Sequence, residues 1–305
     1  MPSTQEFRKR IKSVNNTRTI TRAMEMVASV KMQKAVRNIL EARTYVQTAW
    51  NLIELFKAKK PADLKHPFLR SKPVGKTAVI LISSDRGLCG SFNSDILKKM
   101  AQFQAGFSSE ADDNEELMSE NYDVVAVGKF SSKICRKLGL NMVAEFSGFE
   151  NEIGYEDTTP VTKLIIDNYL DKVYGRIIIV YSHFISSLSQ TPVSKQILPV
   201  ESNHIDNLEI WESKSPEFLD VEFKFEPDIK TLLDQVLPQF IRMQIYGAIL
   251  ESNASEHSAR MVAMKNATDS AGDIISDLTL TYNTVRQDNI TREIAEISGA
   301  AEAMS

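Results

Sequence analysis

Apolar residues recur at three- and four-residue intervals at both ends of the chain. Residues 3–59 contain neither proline nor glycine, and residues 239–305 contain no proline. This spacing predicts two long helices, over 1–60 and 228–305, with Pro238 kinking or restarting the second. Neither helix carries enough large apolar residues to be stable alone. We therefore predict that they pair as a long antiparallel coiled coil.

The middle of the chain, residues 61–227, has a different pattern. Short β-rich runs alternate with helix-like segments, which predicts βαβ units and a small open α/β (Rossmann-like) domain. The predicted strands lie at 77–83, 122–128, 141–146 and 175–184, and the predicted helices at 92–104, 129–138 and 158–172. Residues 108–121 form an acidic insertion, and residues 201–227 are polar with no predicted element. The fold class is α/β, with a coiled coil attached.

Charge is distributed unevenly although the net charge of the 305 residues is only −4. Residues 8–37 carry nine Lys or Arg against Glu25 alone, whereas residues 110–123 carry seven acids and no base. Such blocks indicate an electrostatic partner surface near the amino terminus. No apolar stretch is long enough to span a bilayer, and the first residues do not resemble a secretory signal, so we expect no direct membrane insertion.

One loop, "SSDRGLCGSFN" at 83–93, has the layout of a reactive loop after a strand. A nucleophilic Cys89 would need a base, but Arg86 cannot accept a proton and the four histidines lie in no partner motif. We therefore predict that Leu88 and Cys89 pack in a tight turn, while Asp85 and Arg86 face a neighbour. Two cysteines cannot supply a disulfide framework, which is typical of a reducing compartment.

Other catalytic signals fail on spacing. The "GKT" at 75–77 lacks the glycine five residues earlier, where Arg70 stands, and it precedes a strand rather than following one. The chain has no G-x-G-x-x-G after a strand and no Cys or His pair with metal-ligand spacing. We expect no cofactor and no metal, and no enzyme activity in the chain alone.

The basic first helix leaves an alternative open. Its cations would attract phosphates, but Phe7 is the one aromatic residue near them. From the residues alone, the chain is an elongated coupling or scaffold protein, or a basic coiled-coil protein that binds nucleic acid.

Three stretches resemble the gamma subunits of F-type ATP synthases, in particular the bacterial type. These are "IKSVNNTRTITRAMEMVASVKMQKA" (11–35), "SSDRGLCGSFN" (83–93) and the segment from "ASEHSARMVAMKNATD" to "REIAEISGAA" (254–301). The resemblance implies a non-catalytic central rotating shaft that couples transmembrane proton (or sodium) flow to ATP synthesis on the beta subunits. The chain departs from the family pattern at Ser91, where a second glycine is frequent, and at Arg292, where Gln is common.

The resemblance also implies partners and contact residues. The partners would be the alpha and beta subunits of the catalytic hexamer, the epsilon subunit and the membrane rotor ring of c subunits, with no nucleic acid. The chain would lie peripherally on the cytoplasmic face of the bacterial inner membrane. Matching family residues would meet a catch loop and an acidic lever loop of the beta subunits. The expected contacts are Arg286, Gln287 and Thr291 for the catch loop, Met24 with Arg8, Lys9, Arg22 and Lys31 for the lever loop, and Asp85, Arg86 and Cys89 in the central loop.

Overall fold

A computed structural model describes residues 4–59, 66–69, 75–109, 122–150, 153–200 and 229–303. Of the predicted acidic insertion at 108–121, only residues 108 and 109 are among them. The polar segment at 201–227 lies wholly outside the described residues. The helices are α1 (Thr4–Lys59), α2 (Phe92–Ser109), α3 (Lys129–Leu138), α4 (Thr159–Leu170) and α5 (Ile229–Ala303), and the strands are β1 (Lys76–Ile82), β2 (Tyr122–Val127), β3 (Asn141–Phe146), β4 (Tyr174–Phe184) and β5 (Gln190–Leu198). Short 3₁₀ turns span Pro67–Leu69 and Tyr155–Thr158.

The five strands form one sheet in the order β3-β2-β1-β4-β5. Strands β1 to β4 are parallel, and β5 pairs antiparallel with β4. Strands β1, β2 and β4 are almost wholly buried because helices cover both faces of the sheet there, whereas β3 at the edge is largely exposed. The predicted α/β domain is therefore confirmed, whereas β5 was not predicted.

Alternate residues of β1 face opposite layers. Ala78, Ile80 and Ile82 belong to the core shared with α4 and with parts of α1 and α5. Val79 and Leu81 belong to the core shared with α2 and α3. The strand is thus buried on both faces.

The chain divides into two compact units, and each long helix contributes to both. Residues 1–29 and 260–305 form the first unit, and residues 30–259 the second. The three-part division made from the sequence, at 60 and 227, stays a prediction.

The paired helices run antiparallel within each unit. In the first unit, the Thr21 and Thr268 hydroxyls lie 2.7 Å apart in a buried hydrogen bond. In the second unit, a small cluster joins Ala35, Ile39 and Ala42 of α1 to Leu250 and Ala254 of α5. Three of these five residues are alanines, whose small side chains permit close packing of two helices. Helix α5 continues through Pro238 without a break in its helical range.

Candidate functional site

The carboxyl-terminal part of α5 carries the predicted catch residues. Arg286, Gln287 and Thr291 are all exposed, and every residue from 286 to 298 is exposed as well. Gln287 and Thr291 are four residues apart and Arg286 adjoins Gln287, so the three side chains share one side of the helix. The structure brings these three predicted residues together.

Three isoleucines lie among these polar residues. Ile290, Ile294 and Ile297 are spaced to form one stripe along α5, and each is exposed. A single exposed apolar residue is ordinary, but an apolar stripe on a helical segment that is exposed on all sides is typical of an interaction surface. Their sequence pattern alone does not indicate a contact surface, because apolar residues at helical spacing usually belong to a core.

The basic residues of α1 are not equivalent. Arg8 donates a hydrogen bond through Nε to the Tyr282 hydroxyl at 2.9 Å, and its guanidinium carbon lies 5.4 Å from the Tyr282 ring centroid. Arg8 therefore joins the two helices of the first unit, while Lys9 and Arg22 are exposed and Met24 is half-buried. Of these four predicted contact residues, Arg8 already binds Tyr282 within its own chain.

Three exposed apolar residues lie on the same helix. Ile20 and Val27 have the helical spacing of a core seam, but both are exposed, as is Met26. They lie in the segment that also carries Arg22 and Met24. This part of α1 thus presents apolar and basic groups together.

Asp85 lies after β1 and turns toward its own chain. Its Oδ1 accepts the backbone N–H of Lys129 at 2.9 Å, and its Oδ2 accepts the N–H of Gly148 at 2.8 Å. One carboxylate therefore connects the loop after β1 to the start of α3 and to the segment after β3. The expectation that Asp85 faces a neighbour needs correction, because both oxygens bind backbone donors of this chain.

The segments that follow β1 and β2 approach each other closely, and this explains why residue 128, just before α3, is a glycine. Gly128 has φ 91°, and a Cβ there would lie 2.2 Å from the Ser83 carbonyl oxygen. Ser131, one turn into α3, donates from Oγ to the Leu81 carbonyl oxygen at 2.8 Å. Backbone hydrogen bonds join the same segments, since the Ser83 N–H donates to the Val127 carbonyl oxygen at 2.9 Å and the Phe130 N–H to that of Ser84 at 3.0 Å.

Arg86 and Glu150 form an ion pair in which Nε lies 2.9 Å from Oε2. The Arg86 side chain is 80% exposed and the Glu150 side chain is 12% exposed. Solvent screens this pair, so it contributes little to stability. Most of the Arg86 side chain is thus accessible to a partner, and its predicted contact with a neighbour stays a prediction.

Cys89 is buried, and its Sγ accepts a hydrogen bond from Asn93 Nδ2 at 3.2 Å. It packs in the core between the sheet, α2 and α3. Leu88 does not pack: its φ is 64° and 64% of its surface is exposed. The prediction that both residues pack is confirmed for Cys89 and wrong for Leu88, which stands at the tip of the loop in a left-handed conformation that a leucine rarely adopts.

Lys31 is half-buried and lies in the second unit, at a cavity of about 400 Å³. Lys34 of α1, Glu150 and His257 of α5 also line this cavity. Lys31 is therefore less accessible than Lys9 or Arg22.

In the part of the chain that the structure describes, no group of His, Cys, Asp or Glu residues could hold a metal ion. Among the described helices, none combines the length and apolar character that a membrane span requires.

Comparison with known proteins identifies the family. A family model described as ATP synthase matches residues 3–304. The ATP synthase gamma chain of Herpetosiphon aurantiacus is 37% identical over 312 residues, and the alignment covers 100% of both chains. The gamma chain of Dehalococcoides mccartyi is 37% identical over 308 residues, again with 100% of both chains covered.

Solved structures agree on the fold. A chain from the Tetrahymena thermophila mitochondrial ATP synthase central stalk and c-ring has a TM-score of 0.60 at 22% identity, covering 81% of this chain and 99% of its own length. A chain from the Euglena gracilis mitochondrial ATP synthase has a TM-score of 0.62 at 19% identity, covering 99% and 94%. The match of the family model to residues 3–304 and the relatives that are 37% identical over their full length show that this chain belongs to the ATP synthase gamma family.

Proposed function

We propose that this chain is the central shaft of an F-type ATP synthase. It turns within a hexamer of alpha and beta subunits and couples transmembrane proton (or sodium) flow to ATP synthesis on the beta subunits. The observation that carries the proposal is the end of α5, where residues 286–298 are exposed and three isoleucines form a stripe. Such a helix buries its apolar side chains in a partner, and family membership supplies the partner.

Coupling follows from asymmetry. A shaft inside a ring with near-threefold symmetry presents a different face to each beta subunit at each orientation. It therefore biases each open–closed equilibrium differently, which is a coupling free energy between sites. One elementary charge crossing 100 mV carries about 2.3 kcal/mol, so several ions contribute to each catalytic step. The shaft itself performs no bond chemistry.

Arg286, Gln287 and Thr291 suit a contact that forms with one beta subunit at a time. Arginine offers a planar fork to a carboxylate, and Gln and Thr add orientable donors and acceptors. A hydrogen bond to a charged group contributes about 1.5–3 kcal/mol. Because all three side chains are exposed in this chain, their removal should not weaken its fold.

The test is the double substitution Arg286→Ala and Gln287→Ala in the assembled complex. We expect ATP hydrolysis and synthesis to fall several-fold while subunit stoichiometry is unchanged. Asn289→Ala with Glu296→Ala is the matched control, since these exposed residues lie on the other side of α5. Near-wild-type turnover in the first variant, or an equal loss in the control, would refute a specific catch contact.

Met24 tests the predicted lever contact. Met24→Lys adds a charge beside basic neighbours and should reduce ion pumping per ATP more than it reduces assembly. Asn16→Lys, at an exposed position of the same helix, adds the same charge elsewhere and serves as the control. Equal pumping in both variants would show that Met24 is not at the coupling contact.

The remaining partners follow from the same proposal. The α/β part would bind the epsilon subunit and the c ring, which places the chain peripherally on the cytoplasmic face of the bacterial membrane. A tag on this chain should therefore recover alpha, beta, epsilon and c subunits from detergent extracts. Recovery of none of them, together with salt-dependent DNA binding, would favour the nucleic-acid alternative.

A further inference from the structure

The face of α5 that packs on the sheet changes character at Glu251. Residues such as Ile245 and Ile249 are fully buried in the apolar core. Beyond them, Glu251, Ser255 and Ser258 follow at intervals of four and three residues, so they share one face of the helix. We call these three residues the polar stripe, and all three are buried.

Glu251 lies in a buried group of polar side chains. Its Oε2 is 2.6 Å from His183 Nδ1 on β4, although only 3% of the Glu251 side chain is exposed. Tyr181, two residues earlier on β4, also hydrogen-bonds Glu251, and Lys195 of β5 interacts with its charge. Burial, reinforced by Glu251, raises the pKa of Tyr181 well above its ordinary value. Burial lowers the pKa of Lys195 to about 8, although Glu251 opposes that shift.

The two serines continue the contact toward the β4–β5 hairpin. Ser255 Oγ donates to the Ser182 carbonyl oxygen at 3.1 Å, and Ser258 Oγ donates to the Ser187 carbonyl oxygen at 2.5 Å. Gln190 Nε2 donates to Ser258 Oγ at 3.2 Å. Successive turns of α5 are thus bonded to successive parts of one hairpin.

These contacts differ in kind from the apolar ones that precede them. Apolar burial is non-directional, and α5 buries adjacent residues such as Phe240 and Ile241, or Ile249 and Leu250, on several sides. Such a helix can rotate about its axis and still bury apolar surface. A helix that carries a buried carboxylate cannot rotate in this way. Rotation would separate the carboxylate from its partners, and an unpaired buried charge is strongly unfavourable. The polar stripe therefore specifies one rotational setting.

We propose that the polar stripe fixes the rotational setting of α5 on the sheet, so that torque applied to the α/β part is transmitted to α5 without slippage. Glu251 acts as a positioning residue through His183, Tyr181 and Lys195. The torque part of this inference rests on the proposed shaft function. The rotational setting itself is a property of this chain alone.

The main variant is Ser255→Ala with Ser258→Ala, which removes two directional bonds and keeps Glu251. Ser252→Ala is the matched control, since Ser252 is buried on the same helix and its hydroxyl has no hydrogen-bond partner among the residues that the structure describes. Glu251→Gln keeps the shape and loses the charge, and serves as a third variant.

The first measurement uses the full chain without other subunits. Spin labels at exposed Gln239 on α5 and exposed Ser194 on β5 report the distance between helix and sheet. We expect a narrow distance distribution in wild type and in Ser252→Ala. Loss of two hydrogen bonds should raise the population of other settings about tenfold, and the distribution should broaden. An unchanged distribution in both the double serine variant and Glu251→Gln would overturn the inference.

The second measurement uses assembled complexes in membrane vesicles. We expect the double serine variant to keep its ATP hydrolysis rate and to pump fewer ions per ATP than the Ser252→Ala complex. A broadened distance distribution with unchanged pumping would overturn torque transmission by the stripe. That outcome is distinct from failure of the shaft function, which the Arg286 and Gln287 variants test separately.

Discussion

Replacement of Asp85 by alanine tests whether this residue is a clamp within the chain or a contact for a partner. Its carboxylate accepts the backbone N–H groups of Lys129 and Gly148 at 2.9 and 2.8 Å. These donors belong to the start of α3 and to the segment after β3. Asp85→Ala would therefore release three segments from one another.

The magnitude follows from two hydrogen bonds to a charged acceptor. Each contributes about 1.5–3 kcal/mol when well shielded. Asp85 is only half-buried, so solvent replaces part of what is lost. We expect the free energy of unfolding of the full chain to fall by about 2 kcal/mol, which is less than the sum of about 3–6 kcal/mol for two fully shielded bonds.

Urea unfolding of the purified chain, followed by circular dichroism, measures this change. Asp85→Asn retains one carbonyl oxygen and should lose less than Asp85→Ala. Arg86→Ala breaks a solvent-exposed ion pair and should change the free energy of unfolding by less than about 1 kcal/mol. If Asp85→Ala is as stable as wild type, the clamp is wrong and Asp85 returns to the partner contact that the sequence suggested.

Three further predictions concern titration and thiol reactivity. Burial lowers the pKa of His66, although its hydrogen bond with Asp234 opposes that shift. The free energy of unfolding should therefore fall as the pH drops below about 6.5, because the unfolded chain binds the proton at a higher pH than the folded chain. In urea titrations at a series of pH values, His66→Gln should weaken this dependence. Because the pKa of Lys195 is lowered to about 8, wild type should gain stability relative to Lys195→Met as the pH rises from 8 toward 10, and a constant difference would contradict this. Burial raises the pKa of Cys135 to about 11, so alkylation at pH 8, followed by mass spectrometry, should be slow in the folded chain and fast in urea; equal rates would contradict a buried thiol.

The sequence by itself determined the elements whose pattern is continuous. Helix α1 ends at Lys59, shortly before Pro61, and strands β1 and β4 are uninterrupted apolar runs. Strand β5 was missed because "QTPVSKQIL" is mostly polar and contains Pro192. As an edge strand, β5 tolerates both features, since one side of its backbone needs no partner in the sheet.

The chemistry of the central loop could be predicted only in part. The absence of a base near Cys89 in sequence indicated packing, and the structure buries that thiol. The direction of Asp85 and Leu88 could not be read from the sequence. Asp85 finds donors at Lys129 and Gly148, which are far away along the chain, and no local pattern records that proximity.

Burial along the helices shows the same division. Ile20 and Val27 fit the helical spacing of the apolar residues in α1, but the tertiary structure leaves both exposed. It also buries Glu251, which sequence statistics place on the surface. The spacing of apolar residues in the sequence predicts that a helix has an apolar side and a polar side. Which face is covered, and which charge is paired, depends on contacts between residues distant in sequence, and only the folded chain determines those contacts.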